Sequence, residues 1–151
     1  MKIKIWLDMD GTIADLYNVP NWLERLRAGD VKVYEDAAPL FKGETLEALL
    51  LNLQRKGAEI NILSWAGMDM TDAEVAATRG AKIRWLYQHF GRLTFDHVQV
   101  VPYGTNKFDC AGHEGWLVDD SEKVRATWEN RCCVHPRCMI DLLEMLNALI
   151  K

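Results

Sequence analysis

The sequence predicts an α/β protein with a Rossmann-like, three-layer α/β/α sandwich, in which helices cover both faces of a mostly parallel sheet. Three observations predict this fold. Short apolar segments typical of buried strands alternate along the chain with segments of helical period. Such alternation is typical of βαβ units, which form parallel sheets. The 151 residues, 49% hydrophobic and 26% charged, suit a single globular domain over residues 1–151.

The amino-terminal part contains a predicted strand, a loop and a short helix. Residues 2–7 alternate charged and apolar side chains before a run of Ile, Trp and Leu, which predicts a strand that enters a buried sheet. Residues 8–12 follow directly as a loop. Residues 21–27 predict a short helix, with Asn21 as its cap and Gly29 at its end.

An amphipathic helix and a second strand come next. Four leucines spaced i, i+3, i+4 and i+7 form one apolar helix face, and Gly57 stands where this helix should end. The four are Leu46, Leu49, Leu50 and Leu53. Residues 59–64 are rich in Ile and Leu and predict the second strand.

A capping box predicts the start of the third helix. Thr71 and Glu74 have the required spacing, and the helix should extend toward Phe90, although Gly80 weakens its middle. The alternation then continues to the end of the chain. The remaining predicted elements are strands at 95–101 and 115–118, a helix at 121–128 capped by Ser121, a strand at 132–134 and a helix at 137–150.

The charge and the hydropathy of the chain limit the classes of function. A net charge of −4 argues against a protein that binds nucleic acid through bulk electrostatics, although a local basic groove stays open. No apolar run reaches the ~20 residues of a membrane span, and no charged-then-apolar leader opens the sequence. We therefore expect a cytoplasmic protein with no membrane partner.

The cysteines lie in the last third of the chain. Because they lack the spread of a disulfide framework, we expect free thiols in a reducing compartment. A zinc site is the alternative, but the standard paired Cys-x2-Cys spacing is missing. Its candidate ligands would be Cys132, Cys133, His135 and Cys138, with Cys110 and His113.

Polar side chains follow four of the predicted strands. They are Asp8 and Asp10 after the first strand, Ser64 at the end of the second, Lys107 after the third, and Asp119 and Asp120 after the fourth. In a parallel sheet the carboxyl ends of the strands form the ligand crevice, so these groups should converge there. Four neighbouring carboxylates need a compensating cation, and hard oxygen ligands favour Mg²⁺ over zinc. The hydroxyl and the ammonium suit phosphoryl oxygens, so the sequence predicts phosphoryl transfer.

These motifs resemble those of the haloacid dehalogenase (HAD) superfamily of phosphatases. The sequence Asp-Met-Asp-Gly-Thr at 8–12 is similar to the first motif, Ser64 to the second, Lys107 to the third and Leu-Val-Asp-Asp at 117–120 to the fourth. Residues 105–107 and 116–120 are similar to the 5′(3′)-deoxyribonucleotidase branch. Lys82 and Lys123 are rival candidates for the third motif, but one lies inside a predicted helix and the other beyond the fourth motif.

The resemblance implies covalent catalysis. Asp8 would be the nucleophile and form an aspartyl-phosphate. Asp10 would protonate the leaving oxygen and later deprotonate the attacking water. On an extended chain, residues two apart face the same side, which suits this pair of roles. Gly11 would let the backbone turn sharply and Thr12 would tie the loop.

The resemblance also implies a metal site and a phosphate site. Mg²⁺ would be held by Asp8, the backbone carbonyl of Asp10, and Asp119. Asp120 would bind the metal through water or would orient Lys107. The phosphoryl group would be bound by Ser64 and neighbouring N–H groups, with Lys107 offsetting negative charge. Trp65, directly after Ser64, would lie beside the phosphate and stack on a base or another flat leaving group.

The chain leaves little room for the cap that selects substrates in this superfamily. The insertion of residues 13–43 has space for one or two short helices, so we expect a minimal helical cap in which Tyr17 and Trp22 close over the site. An open site would admit large substrates, and a homo-oligomer in which a partner subunit supplies the lid stays open. The insertion also carries four cations, which suit either an anionic substrate or a solvated face; they are Arg25, Arg27, Lys32 and Lys42.

The leading hypothesis is a Mg²⁺-dependent 5′-nucleotidase-like phosphatase that acts on (deoxy)nucleoside monophosphates. The first alternative keeps the chemistry but acts on polynucleotide phosphate ends or another phosphorylated metabolite. The second is a non-catalytic regulatory module with the same fold. A receiver domain of the response-regulator type would place its acidic pair and its phospho-accepting Asp on separate strands, whereas Asp8 and Asp10 follow one strand here.

Overall fold

A five-stranded parallel sheet forms the centre of the protein. The computed structural model describes residues 2–42 and 44–151. Its strands are β1 (Lys4–Leu7), β2 (Ala14–Asp15), β3 (Ala38–Pro39), β4 (Glu59–Trp65), β5 (His97–Val101), β6 (Trp116–Val118) and β7 (Cys133–Val134). The central sheet has the order β5-β4-β1-β6-β7, and every neighbouring pair in it is parallel. The α/β class and the parallel sheet are therefore confirmed, and the arrangement is compatible with a Rossmann-like fold.

Six α-helices and three 3₁₀ turns lie between and after these strands in the described part of the chain. The helices are α1 (Trp22–Arg27), α2 (Thr45–Arg55), α3 (Asp72–His89), α4 (Lys107–Cys110), α5 (Glu122–Ala126) and α6 (Met139–Leu149). The 3₁₀ turns are Leu16–Asn18, Val31–Tyr34 and Pro136–Cys138. Within the same part of the chain, each helix is too short or too polar to cross a lipid bilayer.

Alternate residues of β1 belong to two different apolar clusters. Ile5 and Leu7 pack in the larger cluster, which also contains the buried faces of α2, α3 and α6. Trp6, between them, packs in the smaller cluster with Phe108 of α4 and Val124 of α5. Because side chains alternate between the two faces of a strand, these clusters lie on opposite faces of the sheet.

The strand order reverses at β1. From β1 the chain builds outward through β4 and β5, and it then returns to pair β6 with the other edge of β1. The loops that follow β1 and β6 diverge at this point, which is where open α/β sheets form their ligand crevice. The topology therefore puts the residues after Leu7 and Val118 next to each other.

Most sequence-based elements form, and their details differ in a few places. The capping box of α3 is present, with Thr71 accepting from the N–H of Glu74, and Ser121 caps α5. Asn21 precedes α1 in a left-handed conformation (φ 57°), and its side chain makes no cap hydrogen bond, so its predicted capping role is wrong. The sequence prediction also missed the short helix α4.

The insertion after β1 contains α1, two of the 3₁₀ turns and the antiparallel pair β2–β3. This pair was not predicted, since two-residue strands carry no periodic signal. Residues 13–42 of the predicted cap are described, and its last residue, Gly43, lies outside the described residues.

Candidate functional site

The loop after β1 is a tight turn built around Met9. The carbonyl of Met9 accepts hydrogen bonds from the N–H groups of Thr12, Ile13 and Ala14 at 2.9–3.0 Å. The turn requires a left-handed conformation at Gly11 (φ 78°), and a β-carbon there would collide with the Asp120 carboxylate. The close approach of the Gly11 backbone thus brings the β1 and β6 loops together.

Thr12 connects the carboxylates of these two loops. Its buried hydroxyl lies 3.0 Å from Asp8 Oδ2 and 3.3 Å from Asp120 Oδ1, and it accepts from the Asp120 N–H at 3.2 Å. A hydroxyl has a single proton, so it donates to one carboxylate at a time. The predicted role of Thr12 in tying the loop agrees with these contacts.

Lys107 lies between two of the predicted acidic residues. Helix α4 begins at Lys107 with Asn106 as a side-chain cap, and its ammonium donates to Asp8 Oδ1 at 2.8 Å and Asp119 Oδ2 at 2.7 Å. All three side chains are buried. Of the two acidic residues after β6, it is Asp119 and not Asp120 that orients this lysine.

Carboxylate oxygens of Asp8, Asp119 and Asp120 lie within 4.8 Å of one another. The side chain of Asp119 is held further by the Ser121 N–H, which donates to its Oδ1 at 2.9 Å. Oxygen ligands from several carboxylates suit Mg²⁺ or another hard cation. The carboxylate of Asp10 lies outside this group and bonds elsewhere, so only its backbone carbonyl stays a candidate ligand.

The electrostatics of the site fit a divalent cation. Burial, together with repulsion from Asp8, raises the pKa of Asp119 to about 6 and that of Asp120 to about 7. Burial alone would lower the pKa of Lys107, but the carboxylates of Asp8 and Asp119 raise it above its ordinary value. The four predicted acidic residues carry −4 when ionised, and their ion pairs are with Lys107 and a second buried lysine, which together supply +2. A divalent cation would balance this difference.

The second buried lysine is Lys82, the rival third-motif candidate that lies inside a helix. Its side chain is completely buried, and its ammonium donates to Asp10 Oδ2 at 2.8 Å and Ser64 Oγ at 2.6 Å. The spacing of residues in the sequence indicates that Lys82 is buried. Thr78 and Trp85 lie four residues before and three after Lys82, so all three share the buried face of α3.

Asp8, Asp10, Lys107, Asp119 and Asp120 line a cleft of about 640 Å³, and the buried Lys82 is connected to it through Asp10. The insertion contributes Tyr17 and Trp22 to the lining, with their rings 5.1 Å apart, and Trp65 and Tyr103, with rings 4.9 Å apart, also line the cleft. Burial, with added repulsion from the aspartates, raises the pKa of Tyr17, so its hydroxyl stays protonated. The cleft thus joins an anionic, metal-suited end to aromatic walls.

All predicted site residues come together at this end of the sheet. Trp65 lines the cleft, its indole N–H donates to the Thr105 carbonyl at 2.9 Å, and Lys107 Nζ lies 5.4 Å from the centre of its ring. Ser64 is buried and reaches the others through Lys82. Arg27 is the one cation of the insertion that lines the cleft, whereas Arg25 pairs with Asp30 and Asp36 nearby.

The cysteines are free thiols. Among residues 2–42 and 44–151, the one cluster of three or more ligand side chains close enough to hold a metal is the aspartate group, so the zinc alternative gains no support. Comparison of the sequence with protein-family models and with curated proteins found no match. The functional interpretation therefore depends on the residues of the cleft.

Proposed function

We propose that the protein is a Mg²⁺-dependent phosphomonoester hydrolase of the HAD type that works through an aspartyl-phosphate on Asp8. The observation that carries the proposal is the environment of the Asp8 carboxylate. Lys107 and Thr12 hold its two oxygens, and the carboxylates of Asp119 and Asp120 lie within 4.8 Å. A nucleophile needs this fixed orientation to attack phosphorus in line.

In the first step an oxygen of Asp8 attacks the phosphorus and forms the aspartyl-phosphate bond. The bond from phosphorus to the leaving oxygen breaks, and Asp10 donates a proton to that oxygen. Lys107, beside Asp8, offsets negative charge on the phosphoryl oxygens while the bonds exchange.

In the second step a water molecule releases phosphate and restores the enzyme. Asp10 takes a proton from the water as its oxygen attacks phosphorus, and the bond between Asp8 and phosphorus breaks. Lys82 donates to both Asp10 and the Ser64 hydroxyl, so it links the two side chains. The Ser64 hydroxyl donates its own proton to a phosphoryl oxygen in both steps. Both residues return to their starting protonation.

The residues that would hold Mg²⁺ are Asp8, Asp119 and Asp120, with the Asp10 carbonyl as a further ligand. When bound, the cation would neutralise charge on the phosphoryl oxygens. The rest of the chemistry belongs to the chain's own side chains.

Nucleoside monophosphates are the proposed substrates. The cleft of about 640 Å³ has room for a nucleoside beside the phosphate end, and its aromatic walls suit a flat base. Arg27 on the wall adds a cation for an anionic substrate. A polynucleotide end is the second candidate, since Tyr17 and Tyr103 of the cleft lining are each about half exposed to solvent.

The test measures phosphate release from an aryl phosphate, nucleoside monophosphates, and 5′- and 3′-phosphorylated oligonucleotides, with Mg²⁺ and with chelator. We expect Mg²⁺-dependent turnover that is at least about 10-fold faster on mononucleotides than on oligonucleotides, and a loss of about 10³-fold or more in Asp8→Asn. Asp141→Asn, an exposed change on α6, is the matched control. Undiminished turnover in Asp8→Asn would contradict the covalent mechanism, and equal weak rates on all substrates would contradict the substrate assignment.

A further inference from the structure

Lys82 has an environment that a lysine rarely occupies. Its side chain has no exposed surface, and it projects from the middle of α3 toward the carboxyl ends of β1 and β4. Burying an ammonium is costly unless its protons find partners. An apolar side chain would fill this position of α3 at lower cost, so the charge itself requires an explanation.

The three N–H groups of the ammonium each have an acceptor. Lys82 donates to Asp10 Oδ2 at 2.8 Å, Ser64 Oγ at 2.6 Å and the Trp65 carbonyl at 3.0 Å. The ring of Tyr34 covers it, with its centre 4.6 Å from Nζ. The acceptors come from the β1 loop and from the end of β4, so one cation joins two segments that are 54 residues apart between Asp10 and Ser64.

These bonds leave the Ser64 proton and one carboxylate oxygen of Asp10 free for other partners. A hydroxyl that accepts from an ammonium keeps its own proton for another acceptor, so Ser64 is prepared to donate to a phosphoryl oxygen. Asp10 is held through Oδ2, which leaves Oδ1 to carry the proton that is exchanged with the leaving oxygen or the water. Without the lysine, both side chains would be free to adopt other rotamers.

We propose that Lys82 is a positioning residue. It holds the acid/base Asp10 and the phosphate-binding Ser64 in fixed positions relative to the nucleophile Asp8. The inference rests on the proposed function. It separates the tasks of the two buried lysines: Lys107 touches Asp8 and the metal-suited carboxylates, whereas Lys82 touches neither and acts through Asp10 and Ser64.

A comparison of kcat/KM between substrates with poor and good leaving groups distinguishes this positioning role from a merely structural one. In a covalent mechanism kcat/KM reports the steps up to release of the leaving group. A nucleoside monophosphate has a poor alkoxide leaving group and needs the proton from Asp10, whereas dinitrophenyl phosphate has a good one and does not. For Lys82→Met we expect kcat/KM to fall about 100-fold or more with the nucleotide and less than about 10-fold with the aryl ester.

Controls isolate the two partners. Ser64→Ala should lower kcat/KM for both esters by a similar factor, because it removes a contact to the phosphoryl group that both share. In an Asp10→Asn background, Lys82→Met should cost less than about 10-fold further on the nucleotide, since the two residues act as one unit. Lys123→Met, an exposed change on α5, should leave both rates unchanged.

The possible failures are distinguishable. A wild-type protein that releases no phosphate from either ester would overturn the proposed function. If the wild type is active and Lys82→Met lowers kcat/KM by the same factor on both esters, or does not lower it, the role of Lys82 would be overturned and the proposed function would stand. Lys82→Gln, which keeps an amide donor in place of the charge, is measured alongside in case the methionine variant does not fold. It should show the same dependence on leaving group, and an equal loss on both esters would again count against the role.

Discussion

Three of the four carboxylates of the site accept from a buried lysine, and the fourth lies within hydrogen-bond distance of the Thr12 hydroxyl. Asp8 and Asp119 share Lys107, Asp10 takes Lys82, and Asp120 is linked to Thr12. Removing the donor of a buried carboxylate strongly destabilises the folded protein. Single substitutions of these donors are therefore expected to be costly. Carboxylate oxygens of Asp8, Asp119 and Asp120 are held within 4.8 Å of one another, and a phosphoryl-transfer site requires groups fixed this close together.

Gly11 is the residue on which this arrangement depends most closely. Gly11 and Gly29 have the same left-handed φ of 78°, but a β-carbon on Gly29 would meet nothing within 4 Å, whereas one on Gly11 would collide with Asp120 and the Tyr17 ring. We expect Gly29→Ala to lower the free energy of unfolding by about 1 kcal/mol. Gly11→Ala should lower it by more and should also reduce kcat/KM about 100-fold, because the Asp120 carboxylate must move.

Urea unfolding and phosphate release on the two alanine variants check this prediction. Because both substitutions carry the same backbone strain, the difference between them isolates the contacts with Asp120 and the Tyr17 ring. Equal effects of the two variants on kcat/KM would contradict the close approach of the β1 and β6 loops.

Among the secondary-structure elements, the sequence predicts the strands and helices that have a clear hydrophobic periodicity or a capping residue. Short apolar runs that end at Asp, Ser or Pro predict the strand ends, and their convergence follows from the rule for parallel sheets. The β2–β3 pair and α4 were missed because two to four residues are too few for a periodic signal. Position along the chain places Lys82 in the middle of a helix and gives no sign of a site role, whereas its proposed role depends on the buried face of α3 that it shares with Thr78 and Trp85.

The capping box of α3 gives a prediction about stability alone. Thr71 exchanges hydrogen bonds with Glu74 at the first turn, and Lys82 lies eleven residues further along the helix. Thr71→Ala should lower the free energy of unfolding by about 1 kcal/mol, with kcat/KM unchanged, since the hydrogen bonds of the cap reach none of the aspartates and lysines of the site, although Glu74 lines the cleft. Thr45→Ala, at the exposed first residue of α2 and outside the cap position, should cost less than about 0.5 kcal/mol. A loss of kcat/KM in Thr71→Ala would mean that the start of α3 controls the position of Lys82.

At the scale of the whole molecule, the acidic site links stability to pH. Asp119 and Asp120 have pKa values of about 6 and about 7 in the folded protein, above the value of about 3.9 for an unfolded Asp. The folded state therefore binds more protons than the unfolded state between pH 4 and pH 7, and its stability falls as the pH rises through this range. A divalent cation binds the ionised carboxylates, so it should oppose this fall most strongly at neutral pH.

Thermal unfolding in chelator and in Mg²⁺, at pH 5 and at pH 7.5, measures this linkage. In chelator we expect the Tm to be lower at pH 7.5 than at pH 5, by at least about 3 °C. Saturating Mg²⁺ should raise the Tm by about 5 °C or more at pH 7.5, and by much less at pH 5. Asp120→Asn removes one of the two titrating groups, so its Tm in chelator should vary less with pH, and Mg²⁺ should stabilise it less. The same pH dependence in the wild type and in Asp120→Asn would show that the linkage has another origin, because every other titrating group is common to the two proteins.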